Sequence, residues 1–293
     1  MKIRLQSVIG GLVALVAVAG ATAGAAAIDR SAGAPAAASA SPTSVSPTSA
    51  SPSPAPTASP TVAELAELAA TAEGIGCVST RSCTPAHGGA FISTSRNSCT
   101  LGLPVRTRGG TWYLLTAGHC VANARGATWR GSGYVLGNGT RWQYAGLGTE
   151  GRAGSTDAGI IKITANARLW NARSRVLVVG AHKVSTQRIV RAGDARVGAR
   201  VCVTAGRTGT TRCGTVVAAT TSLRYASPGL AARTVQGLAL VRGICVNPGD
   251  SGSPVFAGST AVGIAVARSA SGCYMWYTKI TAPLRQFGLT VAG

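Results

Sequence analysis

The sequence predicts an all-β fold closed by one short C-terminal helix, and three observations predict it. Gly is abundant, at 39 of 293 residues, and it clusters with Thr and Ser in the manner of residues that bound strands and turns. Between those clusters lie short apolar runs at residues 112–115, 160–163, 175–179, 216–218 and 261–266, each too short for an ordinary helix and of strand length. Within the strand-rich part, persuasive helical spacing comes only in the last segment. There Ile280, Leu284 and Phe287 share a face, Thr281 stands where a cap is needed, Pro283 suits the first turn and Gly288 the end.

The chain divides by composition. Lys2 and Arg4 precede an apolar run that starts at Val8 and fades into small residues, with Ala21-Thr22-Ala23 and Ala25-Ala26-Ala27 both of the A-x-A cleavage type. Residues 1–27 are therefore expected to be a signal peptide; the other reading of the run is an uncleaved membrane anchor, since it approaches the roughly 20 residues that span a bilayer. Residues 28–73 are expected to be a disordered linker. Their Ala, Ser, Pro and Thr bury too little apolar surface to offset the entropy of ordering them, although 61–73 has the makings of a short helix. The folded domain is expected at 74–293.

All 8 Cys follow the linker, and an even number in an exported chain reads as disulfides. No C-x2-C pair with a partner pair is present, so no metal is expected. The formal charge of +20 is concentrated in the folded part: all Lys and Arg but Lys2, Arg4 and Arg30 lie beyond residue 73, opposed there only by Glu150, Asp157, Asp194 and Asp250. Such a surface is expected to make salt-dependent, non-specific contacts with polyanions, including cell-wall polymer. No aromatic-basic repeat or nucleic-acid module accompanies it, so specific nucleic-acid recognition is not expected.

One stretch carries chemistry. Gly249-Asp250-Ser251-Gly252-Ser253-Pro254 reads as a serine held in a tight turn. A serine hydroxyl is a poor nucleophile until an imidazole takes its proton and a carboxylate orients that imidazole. Of the 3 His, His119 sits in Thr116-Ala117-Gly118-His119-Cys120, just past an apolar run, where a strand end is expected to present it to a cleft. Among the carboxylates between His119 and Ser251, only Asp157 leads directly into an apolar, strand-like segment, Ala158-Gly159-Ile160-Ile161.

The order His, Asp, Ser resembles the chymotrypsin-like serine proteases, and the surrounding residues resemble their secreted bacterial branch, typified by streptogrisins and alpha-lytic protease. The likeness runs from about Gly89 to the C-terminus. It rests on Asn97-Ser98-Cys99-Thr100-Leu101-Gly102, Thr116-Ala117-Gly118-His119-Cys120, Val201-Cys202 through Gly206-Arg207-Thr208-Gly209 to Cys213-Gly214, and Cys245-Val246-Asn247-Pro248-Gly249-Asp250-Ser251 with Cys273. This resemblance implies two six-stranded antiparallel β-barrels side by side, with His119 and Asp157 from the first and Ser251 from the second. It implies pairings Cys99 with Cys120, Cys202 with Cys213 and Cys245 with Cys273, leaving Cys77 and Cys83 to close a small loop. The backbone N–H groups of Gly249 and Ser251 would form the oxyanion hole. Asp250 would support the turn, as its counterparts pair with a buried arginine, and Arg207 is the candidate partner.

The resemblance also implies a substrate pocket walled by Ile244, Val246 and Asn247 on one side and Val266, Ala267 and Arg268 on the other. Neither wall holds a carboxylate, which disfavours cleavage after Lys or Arg and leaves a small or medium apolar side chain as the expected preference. Three departures from the family stand out. It tends to have Ser and Gly where Ala265-Val266-Ala267-Arg268 stands, it usually continues Gly-Ser where Ser253 and Pro254 stand, and it is usually made with a folded pro-domain, for which no room is expected here. The reading is a secreted, monomeric serine endopeptidase that acts on proteins or peptides and needs no cofactor, with surface tethering as a variant. A second reading is a protease-fold protein impaired in turnover that binds polyanions. An esterase is less well matched, because Gly249-Asp250-Ser251-Gly252-Ser253 lacks the final Gly of the Gly-x-Ser-x-Gly elbow.

Overall fold

The computed structural model describes residues 76–84, 86–149, 156–163 and 174–291, all within one compact unit, Ser59–Gly293. The signal peptide, the linker and the short helix expected at 61–73 lie outside the described residues. The strands are β1 (Phe91–Ser93), β2 (Ser98–Thr100), β3 (Leu103–Thr107), β4 (Trp112–Thr116), β5 (Thr128–Gly131), β6 (Tyr134–Tyr144), β7 (Leu147–Gly148), β8 (Asp157–Ile163) and β9 (Arg175–Val179). There follow β10 (Val184–Arg188), β11 (Arg191–Ala192), β12 (Arg200–Ala205), β13 (Thr210–Ser227), β14 (Leu230–Arg242), β15 (Pro254–Ala257), β16 (Thr260–Arg268), β17 (Tyr274–Lys279) and β18 (Leu289–Val291). Two short helices are described, α1 (Gly118–Asn123) and α2 (Thr281–Phe287).

The architecture is the double-barrel one. Strands β12 to β17 pair in the order β16-β15-β12-β13-β14-β17, and β17 pairs back with β16, so the second barrel closes with six strands; β11 adds to its edge. The first sheet runs β18-β3-β4-β8-β6-β5-β1-β2, with β7 on β6, and curls without a described ladder between its two ends. In this respect it differs from the expected six-stranded closure. The strands at its two ends, β2 and β18, are only three residues long and pair with β1 and β3.

The central strands of the first sheet are buried on both faces. In β4 and β8 the segments 114–116 and 157–161 are buried almost throughout, because one face meets the barrel core and the other meets α1 and the site. Val201, Val203, Val216, Val241, Val255 and Met275 fill the second barrel. Disulfides join Cys77 to Cys83, Cys99 to Cys120, Cys202 to Cys213 and Cys245 to Cys273.

The C-terminal helix forms where expected and buries Leu284 and Phe287, but its cap differs. Ile280 occupies the cap position without a side-chain hydrogen bond, and the Thr281 hydroxyl donates instead to Asp194 at 2.9 Å. A charged acceptor makes the stronger bond and draws the hydroxyl away from the helix end.

His87 is buried with Nε2 lacking a hydrogen-bond partner among the described residues. Burial, assisted by Arg175, lowers its pKa to about 4. In the unfolded chain imidazole protonates near 6.5, so between pH 6.5 and pH 4 the unfolded state binds the extra proton. Stability is then complete above pH 6.5, falls by up to about 3 kcal/mol as pH drops to 4, and levels off below. Denaturant midpoints measured across this range are expected to fall for the native sequence and to fall less for His87→Leu.

Candidate active site

Strand β4 delivers the chain to α1, and His119 is the second residue of that helix, not the end of a strand as its sequence neighbours suggest. Gly118 permits this: a Cβ there would lie 1.8 Å from the Gln143 carbonyl oxygen, so only glycine lets the turn sink against β6 and β8. His119 is 6% exposed and Asp157, the first residue of β8, is fully buried. The Asp157 carboxylate takes both of the histidine's nearby donors. Oδ1 accepts the His119 backbone N–H at 2.8 Å and Oδ2 pairs with Nδ1 at 2.5 Å. With Nδ1–H committed to the carboxylate, Nε2 is left as the acceptor. The Thr278 hydroxyl, from the second barrel, holds the Asp157 carbonyl at 2.9 Å.

Ser251 lines the same cleft of about 380 Å³ as His119. Its turn is tied to the first sheet: the Thr100 N–H donates to the Ser251 carbonyl at 2.8 Å, and the Thr100 hydroxyl to the Gly249 carbonyl at 3.0 Å. Gly252, at φ 90°, completes it, and a Cβ there would lie 2.2 Å from Thr116 Oγ1 and 2.3 Å from the Thr100 carbonyl oxygen. The backbone N–H groups of Gly249 and Ser251 have no hydrogen-bond acceptor among the described residues.

Asp250 does anchor this turn, by a route other than the expected one. Its Oδ1 accepts the N–H groups of Arg207 at 3.0 Å and Thr208 at 2.9 Å; Oδ2 accepts the Asn247 N–H at 2.8 Å and the Thr208 hydroxyl. Four donors satisfy the hydrogen-bonding capacity of a fully buried carboxylate without a guanidinium. The ion pair expected with Arg207 is not formed. Its aliphatic stem lies over Gly249 and the residue is exposed at the cleft. Ser253 has its own structural use, since its buried hydroxyl donates to the Asp250 carbonyl at 2.6 Å.

Of the expected pocket residues, Val246, Asn247, Val266, Ala267 and Arg268 line the cleft. Ile244 does not. It is enclosed in the second barrel's core against Gly214, because a purely aliphatic side chain gains more from full burial than from a wet cleft. Ala265 lines the cleft as well. Among the described residues, one set of side chains has metal-ligand geometry: Cys77, Cys83 and His87, with ligand atoms within 4.8 Å of one another. Its two sulfurs are bonded to each other, which removes the thiolates a metal would need.

Sequence reasoning missed two tyrosines. The Tyr225 hydroxyl donates to Asp157 Oδ2, and the Tyr144 hydroxyl donates to the Tyr225 carbonyl at 2.5 Å. Tyr225 and Asp157 are separated by 68 positions, so no local motif could have linked them.

Comparison with known proteins fits this geometry. A family model described as Trypsin matches residues 78–285. Streptogrisin-A of Streptomyces griseus is 32% identical over 207 residues, 70% of this chain and 60% of its own length. Serine protease 2 of Streptomyces fradiae is 34% identical over 180 residues, 61% of this chain and 91% of its own. The chain spans less than two thirds of streptogrisin-A and, at 57%, of streptogrisin-D. Among solved structures, a glutamic acid specific serine protease superposes with a TM-score of 0.57 at 28% identity, covering 70% of this chain and 98% of that one. Thermobifida fusca protease A gives 0.55 at 26%, covering 71% and 98%. The matched segment takes in every strand of both sheets but β18 and every residue of the cleft described above, and the chain belongs to the trypsin family.

Proposed function

We propose that this chain is a secreted serine endopeptidase working through His119, Asp157 and Ser251. The observation that carries the reading is the buried Asp157 carboxylate holding Nδ1 of His119 at 2.5 Å, with Ser251 across the same cleft. In the mechanism Ser251 Oγ attacks the peptide carbonyl carbon while His119 Nε2 takes its proton. The oxyanion accepts from the N–H groups of Gly249 and Ser251. Collapse breaks the C–N bond, His119 returns the proton to the leaving amine, and water repeats the sequence on the acyl-enzyme. Export is supported by the four disulfides and by the apolar run after Lys2 and Arg4.

For specificity, the apolar wall of Val246, Ala265, Val266 and Ala267 suits a small or medium apolar side chain before the scissile bond. Arg207 and Arg268 are exposed at the cleft, and its one carboxylate, Asp250, is buried and fully bonded. Flanking acidic residues are therefore favoured, and the remaining basic surface makes non-specific polyanion contacts. A peptide library read by mass spectrometry, with fluorophosphonate labelling of the same sample, tests the reading. One adduct on Ser251 and cleavage after apolar residues are expected, with Asp or Glu in flanking positions gaining about 3-fold at low salt and losing that gain at high salt. Absence of adduct and cleavage on folded, oxidised protein overturns the endopeptidase reading; cleavage after Lys or Arg overturns the pocket assignment alone.

A further inference from the structure

The β13–β14 hairpin is longer than the second barrel needs. Its base pairs with the barrel, β13 with β12 at 210–215 and β14 with β17 at 238–242, whereas beyond Thr221 and Leu238 the two strands pair only with each other. This outer half crosses to the first sheet. Val235 is fully buried in the hydrophobic cluster that contains the first sheet's core residues, as is Leu238 at the hairpin's base, and Leu223, Tyr225 and Leu230 pack against it. Polar anchors fix the tip as well: Asn123 of α1 donates to the Ser227 hydroxyl at 3.2 Å, and Tyr144 of β6 holds the Tyr225 carbonyl.

These anchors bring the Tyr225 hydroxyl to Asp157. The oxygen that accepts it, Oδ2, is the one that pairs with His119 Nδ1. The three rings pack edge to face, His119 with Tyr225 at 6.3 Å, His119 with Tyr144 at 6.2 Å and Tyr144 with Tyr225 at 5.6 Å between centroids. We propose that Tyr225 is a positioning residue for the acyl-transfer reaction: its hydroxyl, supplied by the second barrel, locks the Asp157 carboxylate in the rotamer that keeps His119 in its Nδ1–H tautomer. This rests on the triad reading given above.

Three donors on one carboxylate leave it no free rotation. Losing the phenol would leave Oδ1 on the His119 main-chain N–H but Oδ2 held by nothing except the ring it is meant to hold. The phenol is a dependable donor because burial, the charge of Asp157 and the hydrogen bond to it push its pKa well above that of a free tyrosine. Tyr144 is likewise pushed up to about 12, by burial and then by Asp157, with Arg233 and Arg224 opposing. The charged and titratable groups facing the cluster are thus Asp157, His119, both tyrosines and these two arginines. Neither tyrosine ionises in the range where a histidine base works.

Tyr225→Phe keeps the ring, its edge contacts and the hairpin packing, and deletes one hydrogen bond. The expected result is a fall in kcat of about 10- to 100-fold, the range of a hydrogen bond to a charged group, with KM within about 2-fold. The acidic limb of the kcat/KM profile should also move to higher pH, because a carboxylate that loses one donor attracts the imidazolium more strongly. A merely structural tyrosine would lower the melting temperature without moving that limb.

The same shift is read without turnover by following the His119 ring nitrogens by NMR across pH in both proteins. If the native chain neither labels with fluorophosphonate nor cleaves peptide, the triad reading fails, and the NMR titration still decides whether Tyr225 acts on the His119–Asp157 pair. Should Tyr225→Phe not fold, Tyr144→Phe releases the Tyr225 carbonyl and is expected to move the titration the same way by less. An unchanged His119 titration, with unchanged kcat where turnover exists, overturns the proposal.

Discussion

Ser251→Ala is expected to lower kcat by about 10⁵- to 10⁶-fold and to abolish fluorophosphonate labelling, while the melting temperature stays where it was. The fold should be indifferent because the turn is held by main-chain bonds: Thr100 N–H to the Ser251 carbonyl, and Gly252 N–H to the Ala265 carbonyl at 2.7 Å. The Ser251 side chain contributes no hydrogen bond to that network among the described residues. Only the attacking oxygen is lost, and no neighbouring group can replace it. Residual turnover comes from the oxyanion donors and substrate binding alone. Turnover within tenfold of the native protein would place the nucleophile elsewhere.

Asp157→Asn is the next largest expected effect, about 10⁴-fold in kcat. The substitution is isosteric, but the carboxylate accepts three hydrogen bonds, two on Oδ2 and one on Oδ1. An amide has one acceptor oxygen. If that oxygen stays with the His119 backbone N–H, the amide NH2 faces both Nδ1 and the Tyr225 hydroxyl. Nδ1 must then become the acceptor, the ring proton moves to Nε2, and the imidazole can no longer take the serine's proton. Steady-state kinetics with a peptide ester and a peptide amide check this, and the amide should suffer at least as much as the ester. Loss of activity through unfolding, detected by circular dichroism, would remove the tautomer argument.

Much of the site was legible locally. His119, Asp157 and Ser251 each stand in a short segment whose neighbours announce a turn or a buried strand, so pattern and residue type were enough to nominate them. The C-terminal helix was legible for the same reason: the spacing of Ile280, Leu284 and Phe287 is a local property. The errors share a cause as well. Local sequence offers the Thr281 hydroxyl to its own helix, and it bonds Asp194, 87 positions away. The resemblance offers Asp250 an arginine side chain, and it takes that arginine's backbone N–H instead. The resemblance places Ile244 at the cleft, and it fills the barrel. In each, the choice between two satisfactory partners was made by whatever the folded chain brought nearest.

The strand-rich class and the candidate residues His119, Asp157 and Ser251 were legible without the fold, because they follow from period, composition and side-chain type. How the Asp157 carboxylate is oriented emerges only in the folded chain. Tyr225 reaches Asp157 because the overlong hairpin of the second barrel buries Val235, and packs Leu223 and Leu230, in the cluster that contains the first sheet's core. A hydrogen bond between groups 68 residues apart has no signature in either segment. It exists because packing elsewhere has already met the entropy cost of bringing them together.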